Sequence, residues 1–318
     1  MSLTALVSAK GSPGVTVAAL ACTLTWPGRC VLVECDPAGG SVQAGFLAGA
    51  LPADRGIGEL AVAHLRGESL SDVWWRQLID LRPPHAQRLL LPGITDPVRS
   101  ATLQPVWQHL AEFFSGLASD GYEVIADCGR LATPNPPLPV LHAADLVLLT
   151  LRPDLPGISA ALPVARSLRA HLSGQRGGDP PLALLLTGPG DQPTRTVARH
   201  LGAPVAGTLP DDRRTAGVLS HGGAVRTGAP LMRAAADLHR GVARLSACDS
   251  VSSRGPQFAR QAAPTAQAAS AAEAAPTAQA ASAAQTAPTA EAARFARTPA
   301  TPADSPTASD PIGVSDGD

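Results

Sequence analysis

The chain has 318 residues, 45% of them apolar, 3% aromatic and 16% charged, which suffices for one large α/β domain or two small ones with a sizeable core. A formal net charge of −1 excludes an overall basic field for nucleic acid. No apolar run reaches the roughly eighteen residues of a membrane span, and five Cys without ligand-like spacing indicate neither a disulfide scaffold nor a metal cluster.

Residues 1–248 alternate short apolar runs with helix-like segments, the pattern of a doubly wound, mostly parallel sheet flanked by helices. Buried strands are expected over Leu3–Ser8, Cys30–Glu34, Glu123–Asp127, Asp145–Leu151, Leu182–Thr187 and Pro204–Leu209. Helices are expected over Val15–Thr25, Ile57–Leu65, Leu70–Asp80, Leu103–Leu117, Gly157–His171, Thr194–Leu201 and Leu231–Leu245. In such a sheet, ligands bind beyond the carboxyl ends of the strands, so candidate site residues are those that follow the strands.

The first strand runs into Ser8-Ala9-Lys10-Gly11-Ser12-Pro13-Gly14-Val15-Thr16 and then an apolar helix. Small residues between a first strand and a first helix let backbone N–H groups approach phosphate oxygens, and the helix N-terminus adds partial positive charge. Of the 25 basic residues, 24 are Arg and the single Lys is Lys10. In a composition that drifts toward Arg, a lone Lys marks a position where Arg does not serve. The second strand ends Glu34-Cys35-Asp36-Pro37, and the third piece, Tyr122 to Arg130, places Asp127 after an apolar strand and before Gly129.

This loop resembles the deviant Walker A motif, K-G-G-x-G-K-[ST], of the ParA/MinD family of P-loop ATPases, in an actinobacterial-type form with a degenerate loop. Lys10 matches the signature lysine, Gly11 and Gly14 match glycines, and Thr16 matches the hydroxyl that binds Mg²⁺. Ser12 replaces a glycine, and Val15 stands where the second lysine contacts the β- and γ-phosphates. The second-strand segment is similar to the family's D-x-D-P-x-G stretch, with Glu34 and Asp36 in its acidic positions, and the resemblance implies that Asp36 orients the attacking water. Asp127 is similar to the Walker B carboxylate and would hold Mg²⁺ through its water shell, with Thr16 as the hydroxyl that binds the ion. Thr187 and Pro210 fall where the family lines the adenine pocket.

The resemblance therefore implies a P-loop NTPase domain over residues 1–248 that binds ATP and Mg²⁺ and forms a homodimer in which Lys10 reaches the partner's phosphates. Nucleotide-dependent dimerisation would serve spatial positioning or regulation, through a protein partner the sequence does not name, with at most weak ATP hydrolysis. Loss of the lysine at Val15 keeps an alternative open, a non-hydrolysing pseudo-ATPase scaffold. Arg226, Arg233, Arg240 and Arg244 form a stripe that nonspecific DNA binding would use. Cys35 and Cys128 each adjoin a candidate site Asp and read as small buried residues that sit near one another.

From residue 249 the composition changes. An Ala-Pro-Thr-Ala repeat places Pro264, Pro276 and Pro288 twelve residues apart, and Thr298 to Asp318 is rich in Pro, Thr, Ser and Asp. The segment has too little large apolar surface to offset the entropy of ordering it, so 249–318 is expected to be a disordered tail. The first residues carry no charged leader before a long apolar block, so a secretory signal is not expected and the protein is expected to be cytoplasmic.

Overall fold

The computed structural model describes residues 2–11, 14–49, 54–176 and 181–252. Its first strand β1 (Leu3–Ser8) leads through the candidate loop into α1 (Val15–Thr25), and β2 (Arg29–Glu34) follows. Helices α2 (Ile57–Leu65) and α3 (Leu70–Gln77) precede two short strands, β3 (Ile79–Asp80) and β4 (Arg88–Leu91). After α4 (Trp107–Gly116) comes the longest strand, β5 (Tyr122–Arg130), then α5 (Leu138–Ala143) and β6 (Leu146–Leu151). The chain closes with α6 (Leu155–Arg176), β7 (Leu182–Thr187), α7 (Thr194–Leu201), β8 (Val205–Leu209), α8 (Arg213–His221) and α9 (Pro230–Ser252).

All eight strands join one sheet in the order β3-β4-β2-β5-β1-β6-β7-β8, parallel throughout except for the β3–β4 edge pair. The expected doubly wound architecture is thus present. Strand β1 reads Leu-Thr-Ala-Leu-Val-Ser with every residue buried, as a central parallel strand covered on both faces requires. Alternation along it divides the core. Leu3, Ala5 and Val7 point to one face with α2 to α7, and Leu6 points to the other with α1, α8 and α9. Helix α1 is apolar nearly all round because it is sandwiched between the sheet and α9.

Several elements differ from expectation. The helix expected to reach Asp80 ends at Gln77, because Leu78 is already extended and Ile79–Asp80 pairs antiparallel with β4. Helix α4 begins at Trp107 rather than Leu103, since Asp96 caps a separate 3₁₀ turn over Pro97–Leu103 through the Val98 amide. Helix α6 extends beyond the expected Gly157–His171 at both ends and carries Pro163 inside it. Strand β4 and helices α5 and α8 are additional. Helix α9 continues to Ser252, past the expected domain end at residue 248, and the rest of the expected tail lies outside the described residues. No helix among the described residues is long and apolar enough to cross a membrane.

A candidate nucleotide site at the strand ends

Three neighbouring strands deliver the candidate residues to one crevice. Asp127 of β5 is in register with Leu6 of β1 on one side and Glu34 of β2 on the other, so it stands at the centre of the sheet's carboxyl edge. Asp127 is 2% exposed, and the Thr16 hydroxyl at the start of α1 lies near enough to favour its charged form. Burial pushes Asp127 up to about 7; the Thr16 hydroxyl and the Gly129 amide pull it down, and nearby Glu34 and Asp36 add to the rise. Two hard oxygen donors from separate elements, one on a carboxylate poised near neutrality, fit a Mg²⁺ that takes its remaining ligands from water and phosphate. Among the described residues no group of three or more His, Cys, Asp or Glu is placed to hold a metal ion.

Helix α1 presents its N-terminus without competition. Gly14 occupies the N-cap in the left-handed region (φ 83°), where glycine alone is at ease, no side chain caps the helix, and its first turn carries no acidic residue. The first-turn amides are therefore available to an anion. Lys10 is exposed and makes no ion pair among the described residues, while Val15 is buried among Leu6, Ala18 and Ala19 beneath α1. Ser12 of the expected loop lies outside the described residues.

Glu34 and Asp36 take different parts. Glu34 is 3% exposed, and its carboxylate accepts the amides of Ser41 (2.7 Å), Val42 (3.0 Å) and Gly93 (3.1 Å). It therefore fastens the segment after β2 to the end of β4. Gly40 and Gly93 lie back to back there; a Cβ on Gly40 would meet Glu34 Oε2 and Gly93 N at 2.7 Å. Asp36 is half-buried, accepts the Ala38 amide (2.8 Å), and packs its carboxylate where a Gly129 Cβ would stand. Burial raises Asp36, opposed by the Ala38 amide and by the Arg130 guanidinium. Cys35 and Cys128 lie side by side, both buried, with the Cys35 amide donating to the Asp127 carbonyl (2.7 Å).

Arg130 carried no role in the sequence reading. A Cβ on Gly11 would lie 3.5 Å from both Cδ and Nη1 of Arg130, so this exposed side chain runs along the loop's glycine. The signal available in sequence was only that it is the first charged residue after the Asp127–Gly129 turn. On the other flank of the loop, a cavity of about 250 Å³ is lined by Lys10, Gly11, Thr150 and Arg152; the buried Thr150 hydroxyl there has no hydrogen-bond partner among the described residues.

The expected base-lining residues also meet. Thr187 pairs in register with Leu209, immediately before Pro210, and the Gly188 amide donates to the Leu209 carbonyl (2.9 Å). The Thr187 hydroxyl is turned back to the Leu151 carbonyl (3.4 Å), whereas Pro210 is exposed. The arginine stripe is exposed at Arg226, Arg233, Arg240 and Arg244, with Arg240 engaged by Asp237 at 2.6 Å.

An α/β sheet with this strand order, a small-residue loop capping α1 and a carboxylate at the central strand end define a P-loop NTPase-like fold. The solved structures whose fold it resembles are of the ParA/MinD type. The chain resembles the septum site-determining protein MinD complexed with Mg-ADP from Pyrococcus horikoshii OT3, with a TM-score of 0.59 and 15% identity over 78% of this chain and 98% of that one. It resembles a ParA family ATPase from Chlorobium tepidum TLS, with a TM-score of 0.57 and 15% identity over 74% and 96% of the two chains. A McdA–ATP complex from Cyanothece gives a TM-score of 0.56 at 11% identity over 76% and 96%. Neither a protein-family profile nor a curated protein matches the chain by sequence.

Proposed function

We propose that this protein binds ATP with Mg²⁺ at the α1 N-terminus and uses the nucleotide to control its own dimerisation, in the service of positioning a cargo or partner inside the cell. The observation that carries this reading is that Thr16 at the head of α1 and Asp127 at the end of β5 come together, the Thr16 hydroxyl favouring the charged form of that carboxylate. The structural neighbours crystallised with Mg-ADP and with ATP support the same ligand class.

In this reading the Gly11 to Thr16 backbone holds phosphates, and Thr16 and Asp127 hold the ion, which supplies charge neutralisation between phosphate oxygens. Asp36 orients water. Its carboxylate is half-buried and raised in pKa, so it is a competent proton acceptor near the Asp127 end of the crevice. Lys10, exposed beside the loop, reaches the phosphates of a second copy. Thr187 and Pro210 line the base, Pro210 by apolar contact because the Thr187 hydroxyl is already committed to Leu151.

The buried Val15 favours one other reading, a pseudo-ATPase that binds nucleotide without turnover. Loss of one preorganised contact typically costs about 10²–10³ in rate. A titration of fluorescent ATP with and without Mg²⁺, run beside size-exclusion light scattering, tests the first reading. Saturable Mg²⁺-dependent binding with ATP-driven dimerisation, lost in Lys10→Ala, is the expected result; a monomer indifferent to ATP overturns it. Phosphate release above background and abolished in Asp36→Ala eliminates the pseudo-ATPase.

A further inference from the structure

We infer that Arg130 is a phosphate-binding residue that supplies from β5 the positive charge absent from α1 at Val15, and that it selects ATP over ADP; the inference rests on the nucleotide reading above. Val15 is buried in the apolar layer between α1 and the sheet, so nothing on α1 itself brings a cation to the loop. Arg130 does so from the neighbouring strand. Its Cδ and Nη1 lie 3.5 Å, and its Nε 3.9 Å, from the point where a Cβ on Gly11 would stand. Gly11 is one of the small residues whose missing side chain lets phosphate reach the backbone, so the guanidinium borders the same space.

The position is built. The β1–β5 ladder shifts register between Leu6 and Ser8, so that Ser8 comes opposite Arg130. The Ser8 hydroxyl donates to the Gly129 carbonyl (3.3 Å) and the Leu131 amide to the Ser8 carbonyl (3.0 Å), which ties the backbone on both sides of Arg130 to the strand that launches the loop. The Thr133 hydroxyl donates to the Arg130 carbonyl (2.9 Å), and Gly129 makes the preceding turn at φ 59° with its amide on Asp127 Oδ1 (3.0 Å). Arg130 itself is exposed, feels the Asp36 carboxylate only at longer range and has no ion pair among the described residues, so its planar fork can still take a bidentate anion. The carboxylate whose charged form Arg130 favours, Asp36, is the group assigned to water. Arg130 therefore stands at the hydrolysable end of the phosphate chain, which is why ATP should depend on it more than ADP.

The test uses the full chain with Mg²⁺ and fluorescent ATP or ADP, on wild type, Arg130→Ala, Arg130→Lys, Val15→Lys and the double variant Val15→Lys/Arg130→Ala. Arg130→Ala is expected to weaken ATP by about tenfold or more, the scale of one charged hydrogen bond, and ADP by much less, with thermal unfolding unchanged. Arg130→Lys is expected to recover part of the loss, and Val15→Lys to restore ATP binding in the Arg130→Ala background. Wild-type ATP affinity in Arg130→Ala overturns the inference while leaving the nucleotide reading intact. Equal loss of ATP and ADP together with a lowered melting temperature also overturns it, as a structural effect. Failure of wild type to bind either nucleotide removes both readings at once.

Discussion

Across the crevice, the acidic and basic groups are held in opposite ways. Glu34 and Asp127 are buried; Glu34 is fixed by three amides from other segments, and Asp127 by the Gly129 amide of its own strand, with the Thr16 hydroxyl of α1 nearby. Lys10, Arg130 and Arg152 surround the loop from three strand ends with exposed side chains and no ion pair among the described residues. A buried carboxylate must be assembled with its donors because an unpartnered one is costly, so its place in the chain is rigidly specified. An exposed cation has no such requirement, and any element that reaches the loop serves. On the inference above, this difference is what lets a buried Val15 stand at the head of α1 while Arg130 supplies the charge from β5.

The sharpest way to break the comparison is to remove the buried side. Asp127→Ala should cost Mg²⁺-dependent nucleotide binding about 10–100-fold, the scale of removing a group that holds an ion through its bound water. Isothermal titration of Mg²⁺-ATP checks this; a loss under threefold would show that the Thr16–Asp127 pair holds no ion. Next in size is Gly129→Ala. The new Cβ falls on the Asp36 carboxylate, and φ 59° alone costs an L-residue about 1–2 kcal/mol. Denaturant unfolding should register at least that much, and Asp36-dependent turnover, where present, should fall with it.

What the sequence disclosed follows the same division. The central strands were legible because parallel strands covered on both faces read as unbroken apolar runs, and β1 and β7 agree residue for residue with expectation. Thr16, Asp36 and Asp127 were singled out by their match to the family's motifs, and the structure sets Thr16 beside Asp127 and puts Asp36 near it. The edge was not. Leu78, Ile79 and Leu81 continue the apolar periodicity of α3, and only pairing with Arg88–Leu91 makes a strand of them. Glu34's three amide donors come from positions 41, 42 and 93, and Arg130's approach to Gly11 crosses two strands; neither distance leaves a local pattern.

The smallest effect concerns two carboxylates whose pH signatures have opposite sign. Asp212 caps α8, accepting the Thr215 hydroxyl (2.7 Å) and amide (3.1 Å), and the Thr215 hydroxyl first of all holds it below the usual carboxylate range. A lowered folded value means stability that is present above the unfolded pKa and is lost as pH falls through it, so the Asp212 contribution fades below about pH 4. Asp127 is raised, so without metal its contribution is complete below the unfolded pKa and is lost as pH rises from about 4 to 7. Asp212→Ala should cost about 1 kcal/mol at neutral pH, the usual scale of an N-cap, and flatten the acid limb of a stability profile taken in chelator. Asp127→Asn should instead flatten the limb between about pH 4 and 7. If both substitutions altered the same limb, Asp127 would be paired like a surface cap and the buried half of the crevice would lose its distinction from the exposed half.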